Sequence, residues 1–93
     1  MVIGICVVNL HIPGSQSLKN KRQAVKSIKD KIRANFNVSV SEVGGLDTWQ
    51  RSTLGISCIN NNKSYIERIF HRIISLVQTH RLITLLDYTI DMI

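Results

Sequence analysis

The apolar residues of this chain switch between two spacings, and the order of the switches leaves room for few folds. Val2 to Ile12 is a β-prone run closed by the turn signal Pro13-Gly14-Ser15. Ser17 is a good N-cap, and Leu18, Val25, Ile28 and Ile32 then recur at helical spacing to about Asn35. Phe36, Val38 and Val40 alternate with Asn37, Ser39 and Ser41, the two-residue period of a half-buried strand. Turn residues Gly44-Gly45-Leu46-Asp47-Thr48 precede a third alternating run in which Leu54, Ile56 and Cys58 share a face, so these two strands read as a hairpin. Asn60-Asn61-Asn62 breaks that strand and offers a second N-cap, and Ile66, Ile69, Phe70, Ile73, Ile74 and Val77 form a wide apolar stripe to about Thr79. From Ile83 to Ile93, Leu86, Tyr88, Ile90 and Met92 alternate with Asp87, Thr89 and Asp91 as a fourth strand.

The order βαββαβ, with no linker and no repeat, predicts one α+β ferredoxin-like domain over residues 1–93. Its antiparallel sheet should have the strand order 4-1-3-2 with both helices on one face. A chain this short builds a single core. Right-handed crossovers put the loop after strand one, the first turn of helix one, the strand two/three hairpin tip and the end of helix two at one end. His11, Pro13, Gly14, Lys19, Lys21, Arg22, Asp47, Trp49, Gln50, Arg51 and His80 are expected to be neighbours there.

No stretch approaches the roughly 20 apolar residues that span a bilayer, and the first residues form a β-like run without a basic leader. A cytoplasmic protein with no membrane association is expected. Cys6 and Cys58 sit inside apolar runs, so they read as adjacent, reduced core residues, and neither a disulfide framework nor a zinc site is expected.

Four strings in this sequence are familiar together: His11-Ile12-Pro13-Gly14, Ser17-Leu18-Lys19-Asn20-Lys21-Arg22, Phe36 through Glu42, and Asp47-Thr48-Trp49-Gln50-Arg51-Ser52-Thr53-Leu54-Gly55. Over essentially its whole length the chain resembles the YlxP-like family of small uncharacterised bacterial proteins. The resemblance implies a ferredoxin-like fold and no established activity. The family's genes tend to lie beside those for translation initiation and ribosome maturation, which implies a ribosomal or RNA setting. This sequence departs from the family pattern on strand one, where Val7 and Asn9 stand at outward positions expected to be acidic.

The net charge is +6, and Lys19, Lys21, Arg22, Lys26, Lys29, Lys31 and Arg33 all fall in helix one against a single acid, Asp30. Arg22, Lys26, Lys29 and Arg33 share one face. Like charges at i,i+4 and cations in a first turn are each mildly unfavourable, by roughly 0.3 to 1 kcal/mol for the dipole term. Phosphate groups are the commonest partners that offset such a penalty, and a solvated face that only aids solubility is the alternative. Lys21 falls inside the apolar arc of the helix. Glu42 shares the strand parity of Val38 and Val40 at the same end of the fold, which makes Lys21 and Glu42 a candidate structural ion pair.

Trp49 at the hairpin tip is placed to stack on a base or to pack on aliphatic stems, with Gln50 and Arg51 beside it as hydrogen-bond donors. The outward positions of the two central strands hold Ile5, Val7, Asn9, Thr53, Gly55, Ser57 and Ile59, which excludes base stacking on sheet aromatics and fits a homodimer through the open sheet face. An acylphosphatase-like reaction needs an arginine in the loop after strand one, where Pro13 to Ser17 has none, and an asparagine on strand three, where Asn60 is at the wrong end. His11, His80 and Asp47 are a weak acid-base or metal set, so no enzyme activity, cofactor or metal is expected. Two functions remain. One is an RNA- or ribosome-associated binding module acting through Lys19, Arg22, Lys26, Lys29, Arg33, Trp49, Gln50 and Arg51. The other is a homo-oligomeric regulatory module that binds a small ligand at a subunit interface.

Overall fold

The computed structural model, which describes residues 1–93, runs β1 (Val2–His11), α1 (Leu18–Asn35), β2 (Ser39–Gly44), β3 (Arg51–Asn60), α2 (Lys63–Gln78) and β4 (Thr84–Met92). The strands form one antiparallel sheet in the order β2-β3-β1-β4, the expected order read from the opposite edge. Each helix starts on a side chain that accepts a first-turn amide: Ser17 Oγ from the Asn20 N–H at 3.0 Å, and Asn62 Oδ1 from the Tyr65 N–H at 3.1 Å.

Alternation on the two central strands sends Cys6, Val8 and Leu10 of β1 and Leu54, Ile56 and Cys58 of β3 to the same face, where all are buried. Val25, Ile28 and Ile32 of α1 and Ile66, Phe70, Ile73 and Val77 of α2 close over them, so both helices cover one face and the other is left open. Gly4 belongs to the inward set of β1. A Cβ there would overlap Ile66 Cγ2 and stand 2.7 Å from Phe70 Cε2, so a missing side chain is what lets α2 lie directly on the sheet. Cys6 pairs with Ile56 and Cys58 with Gly4, which makes the two thiols diagonal neighbours; both are free and buried. Burial pushes the Cys6 thiol up to about 11 and raises Cys58 as well.

Two boundaries differ from the sequence expectation. Strand two begins at Ser39 rather than Phe36, because Phe36 caps α1 with its N–H on Ile32 O at 3.0 Å. On β4 the register shifts so that Asn9 faces Asp87 while Leu10 faces Leu85. Leu86 is the extra residue of this bulge and reverses the alternation. Leu85 therefore packs on the core with Ile90 and Met92 in place of Leu86, which is 41% exposed, while Tyr88 keeps the inward parity opposite Val8 and is still 42% exposed.

Lys21 has no exposed surface. Its ammonium donates to Glu42 Oε2 at 2.7 Å and to the Gly45 carbonyl at 2.8 Å, and Ser52 Oγ donates to the same Glu42 oxygen at 2.7 Å. Gly45 adopts φ +70, a left-handed conformation that glycine enters without strain, and its carbonyl also accepts from the Thr48 N–H and Oγ1. One buried cation thus ties α1 to the β2–β3 hairpin tip.

Two substitutions test this packing. Gly4→Ala should destabilise the domain by about 1–3 kcal/mol, as overpacking of a tight core does, read as a lower urea midpoint at unchanged m. Lys21→Met should cost about 3 kcal/mol, because it strands the Glu42 carboxylate beside the core. In a double-mutant cycle, Lys21→Met with Glu42→Gln should cost less than the two single losses added together; strict additivity would mean the pair is not coupled.

Candidate nucleic-acid interface

Once Lys21, Val25, Ile28 and Ile32 face the core, the 100° step of a helix turns Arg22, Lys26, Lys29 and Arg33 to one flank of α1 and Ser27 and Lys31 to the other. The first flank runs along β2, since Arg33 Nη2 donates to the Val40 carbonyl at 3.0 Å. The second faces α2, since Ser27 Oγ meets His80 Nε2 at 3.1 Å. Asp30 sits on the first flank, 2.7 Å from Lys26 Nζ and 3.9 Å from Arg33 Nη1. The hydrogen bond from Lys26, helped by the charges of Lys26, Arg33 and Lys29, holds the Asp30 carboxyl below its ordinary range. Two of the four expected face residues are therefore already engaged within the protein. Lys19, Arg22, Lys29 and Lys31 make no ion pair.

The basic surface is wider than helix one. With Lys21 buried, six Lys and Arg residues of α1 reach the surface, and three more, Lys63, Arg68 and Arg72, do so on α2 in the same layer. The guanidinium of Arg72 lies 5.6 Å over the Phe36 ring at the end of α1, and that of Arg68 lies 5.9 Å over Tyr65. Arg68 and Arg72 stand at i,i+4 opposite the apolar stripe of α2, a spacing legible in the sequence but overshadowed by the denser run on α1.

At the hairpin tip the three expected contact residues part company. Trp49 is 55% exposed. Gln50 is an internal brace: its Nε2 donates to Pro13 O at 3.2 Å and Ser15 O at 3.0 Å, while its carbonyl accepts the Ile12 N–H at 2.9 Å. Arg51 pairs with His11 and alternates with buried Ser52, so it belongs to the open face of the sheet, away from the helices. The sheet likewise separates His11 from His80, so the expected approach of these two histidines does not occur.

His80 instead holds the corner between α2 and β4. Its Nδ1 accepts the Leu82 N–H at 3.2 Å, so the neutral ring carries its proton on Nε2 and donates to Ser27 Oγ. Burial, with repulsion from Lys31 and Arg81, pushes its pKa down. The folded protein takes up this proton less readily than the unfolded chain, so the contribution is complete above the ordinary histidine value of about 6.5 and is lost as the pH falls through the folded pKa. His80→Asn keeps an acceptor for Leu82 and cannot be protonated. Between pH 7 and 5 the parent should lose more stability than this variant, measured by denaturant melts at each pH; parallel curves would show that His80 titrates without strain.

The fold is similar to that of two de novo designed proteins: Foldit4, with a TM-score of 0.59 at 14% identity covering 100% of this chain and 97% of that one, and LFR1 1 with ferredoxin fold, with a TM-score of 0.53 at 13% identity covering 100% and 83%. The chain is 33% identical over 78 residues to the uncharacterized protein YlxP of Bacillus subtilis (strain 168), covering 84% of this chain and 85% of that protein. A family model described as DUF503, protein of unknown function, matches residues 3–90. With nearly the whole domain inside that match, and the ferredoxin-like fold in place, the chain belongs to this YlxP-like DUF503 family.

Proposed function

We propose that this protein is a non-enzymatic binding module of the cytoplasm that associates with RNA or the ribosome through its helix layer, with Trp49 as an adjacent contact. One observation carries the reading: with Lys21 buried, nine of the eleven Lys and Arg residues that reach the surface stand on two helices that cover the same face of the sheet. Their helical acids are only Asp30 and Glu67. A surface so charged attracts the most regular polyanion of a cell, and contacts to its phosphates need no base-specific geometry. The exposed aromatic side chains of the helix layer come down to Tyr65, already beneath Arg68, so stacking contributes at the hairpin tip rather than across the layer. No helix is long and apolar enough to cross a membrane. The genomic setting implied by the family resemblance points the same way.

Arg22, Lys29 and Arg68 are the residues to reverse, because Lys26 and Arg33 are held by Asp30 and Val40. Each change to Glu should weaken binding to a fluorescent ribosomal RNA fragment and reduce the log-log salt slope by about 0.7 to 0.9 per lost phosphate contact. The triple variant should also leave the ribosomal fractions of a sucrose gradient at unchanged melting temperature. Parent-like binding by the triple variant at low salt would reduce the layer to a solvated face. Trp49→Ala should cost roughly 1–3 kcal/mol of binding with little loss of stability if the indole stacks on a base.

A further inference from the structure

The side of the sheet opposite the helices is uncovered, and its residues are arranged in rows. Ile93, Ile3 and Ile59 form one row across β4, β1 and β3, joined by backbone bonds between Ile3 and Ile93 and by the Ile3–Ile59 register. Ile93 is 74% and Ile59 63% exposed. Ile5 and Val7 continue the apolar line along β1, and Val43 lies across Gly55, within 3.2 Å of where a Cβ would stand, while remaining 58% exposed. The next row is polar and already satisfied: Thr53 Oγ1 donates to Asn9 Oδ1 at 2.7 Å, and Asn9 Nδ2 donates to Asp87 Oδ1 at 2.6 Å. The polar groups of this row are paired with one another and lose little when water is removed from it, while Ser57 opposite Ile5 and Thr89 opposite Val7 bring further hydroxyls to the same face.

Charge selects the occupant. The chain carries +6, so two copies repel each other wherever their helix layers approach. The open face carries Asp87 and Asp91 at its β4 edge and Arg51 at one end, which makes it the one large surface of this cationic molecule without excess positive charge. Its projected size also suffices. Strands of ten, ten, nine and six residues, about 4.8 Å apart and rising about 3.3 Å per residue, cover roughly 550 Å². Two such faces remove about 1,100 Å² in total, just above the roughly 1,000 Å² that a specific interface has to clear.

We propose that a second copy of this chain closes the open face, and that the resulting dimer joins two separate stretches of RNA. Ile3, Ile5, Val7 and Ile59 form the apolar centre of a self-complementary contact, with Asp87, Asp91 and Arg51 at its polar rim. Stacking the sheets leaves the two basic helix layers on opposite outer sides, facing away from each other. One layer cannot reach the RNA held by the other. The joining of RNA rests on the RNA-binding reading above, whereas the dimer does not.

The two parts are tested separately. Analytical ultracentrifugation at about 100 µM, well above a micromolar Kd, should show a dimer for the parent and a monomer for Ile5→Glu and for Ile59→Glu, each with a parent-like circular dichroism spectrum. Ile59 is largely exposed, so its change reads the interface without disturbing the core. A monomeric parent, or a dimer that survives both changes, overturns the proposed interface. For the second part, a biotinylated RNA on beads should retain a fluorescent RNA only when the parent protein is present. The monomeric variants should still bind each RNA, at up to several-fold weaker apparent affinity, and retain none of the fluorescent strand. Retention that persists in the monomers overturns the joining of two RNAs by the dimer. A dimeric parent that binds neither RNA overturns the RNA reading and leaves the interface standing.

Discussion

An ammonium group with no contact to water has to be met by acceptors, and Lys21 is such a group on the inner arc of α1. Glu42 and the Gly45 carbonyl meet it, and Ser52 holds the carboxylate in turn. The consequence reaches well beyond the local contact. Because the helix can satisfy Lys21 in only one rotation about its axis, the azimuth of every other α1 residue is set with it. Arg22 and Lys29 are turned toward the β2 flank and Lys31 toward α2 by the same network that anchors the hairpin tip. A buried ion pair of this kind adds little net stability compared with an apolar pair, and its value here is in registering one element against another.

The sheet acts as a partition. On the helix side it supports the core and, outside that, nearly all of the cationic charge. On the other side lie a central apolar line, a paired polar row and two of the six acids, Asp87 and Asp91. His11 and Arg51 against His80 and Lys21 illustrate the effect: residues close along the fold axis are kept apart by the thickness of one layer. Function in so small a domain depends on which side of that layer a side chain lies as much as on which end it occupies.

Much of this was legible in the sequence. Both N-caps, the full buried stripe of α2 and the Lys21–Glu42 pairing follow from local periodicity, because a helix or strand assigns its faces by counting residues. What counting misses is set by partners distant in sequence. Leu86 falls in step with Tyr88 and Ile90 on paper, and only pairing with β1 introduces the extra residue that turns it outward. Phe36 alternates with Val38, yet the end of α1 claims its amide first. Gln50 has the composition of a contact residue, and the loop carbonyls of Pro13 and Ser15 lie 37 and 35 positions away from it in sequence. Arg68 and Arg72 went unread in the sequence, because their membership in one surface with α1 depends on the two helices covering the same face.

The bulge at Leu86 also bears on how this sheet ends. An open four-stranded sheet has two edges whose free backbone groups invite another strand, and both are blunted here. On β4 the bulge interrupts the ladder geometry, with Asp87 and Asp91 bringing charge to the same strand. The other edge, β2, is only six residues long and carries a second register shift beyond Glu42, while the Arg33 guanidinium occupies the Val40 carbonyl. Growth by edge-to-edge addition, the route by which small sheets pass into fibrils, is therefore obstructed at both sides, and a concentrated solution of this protein should remain a population of discrete particles.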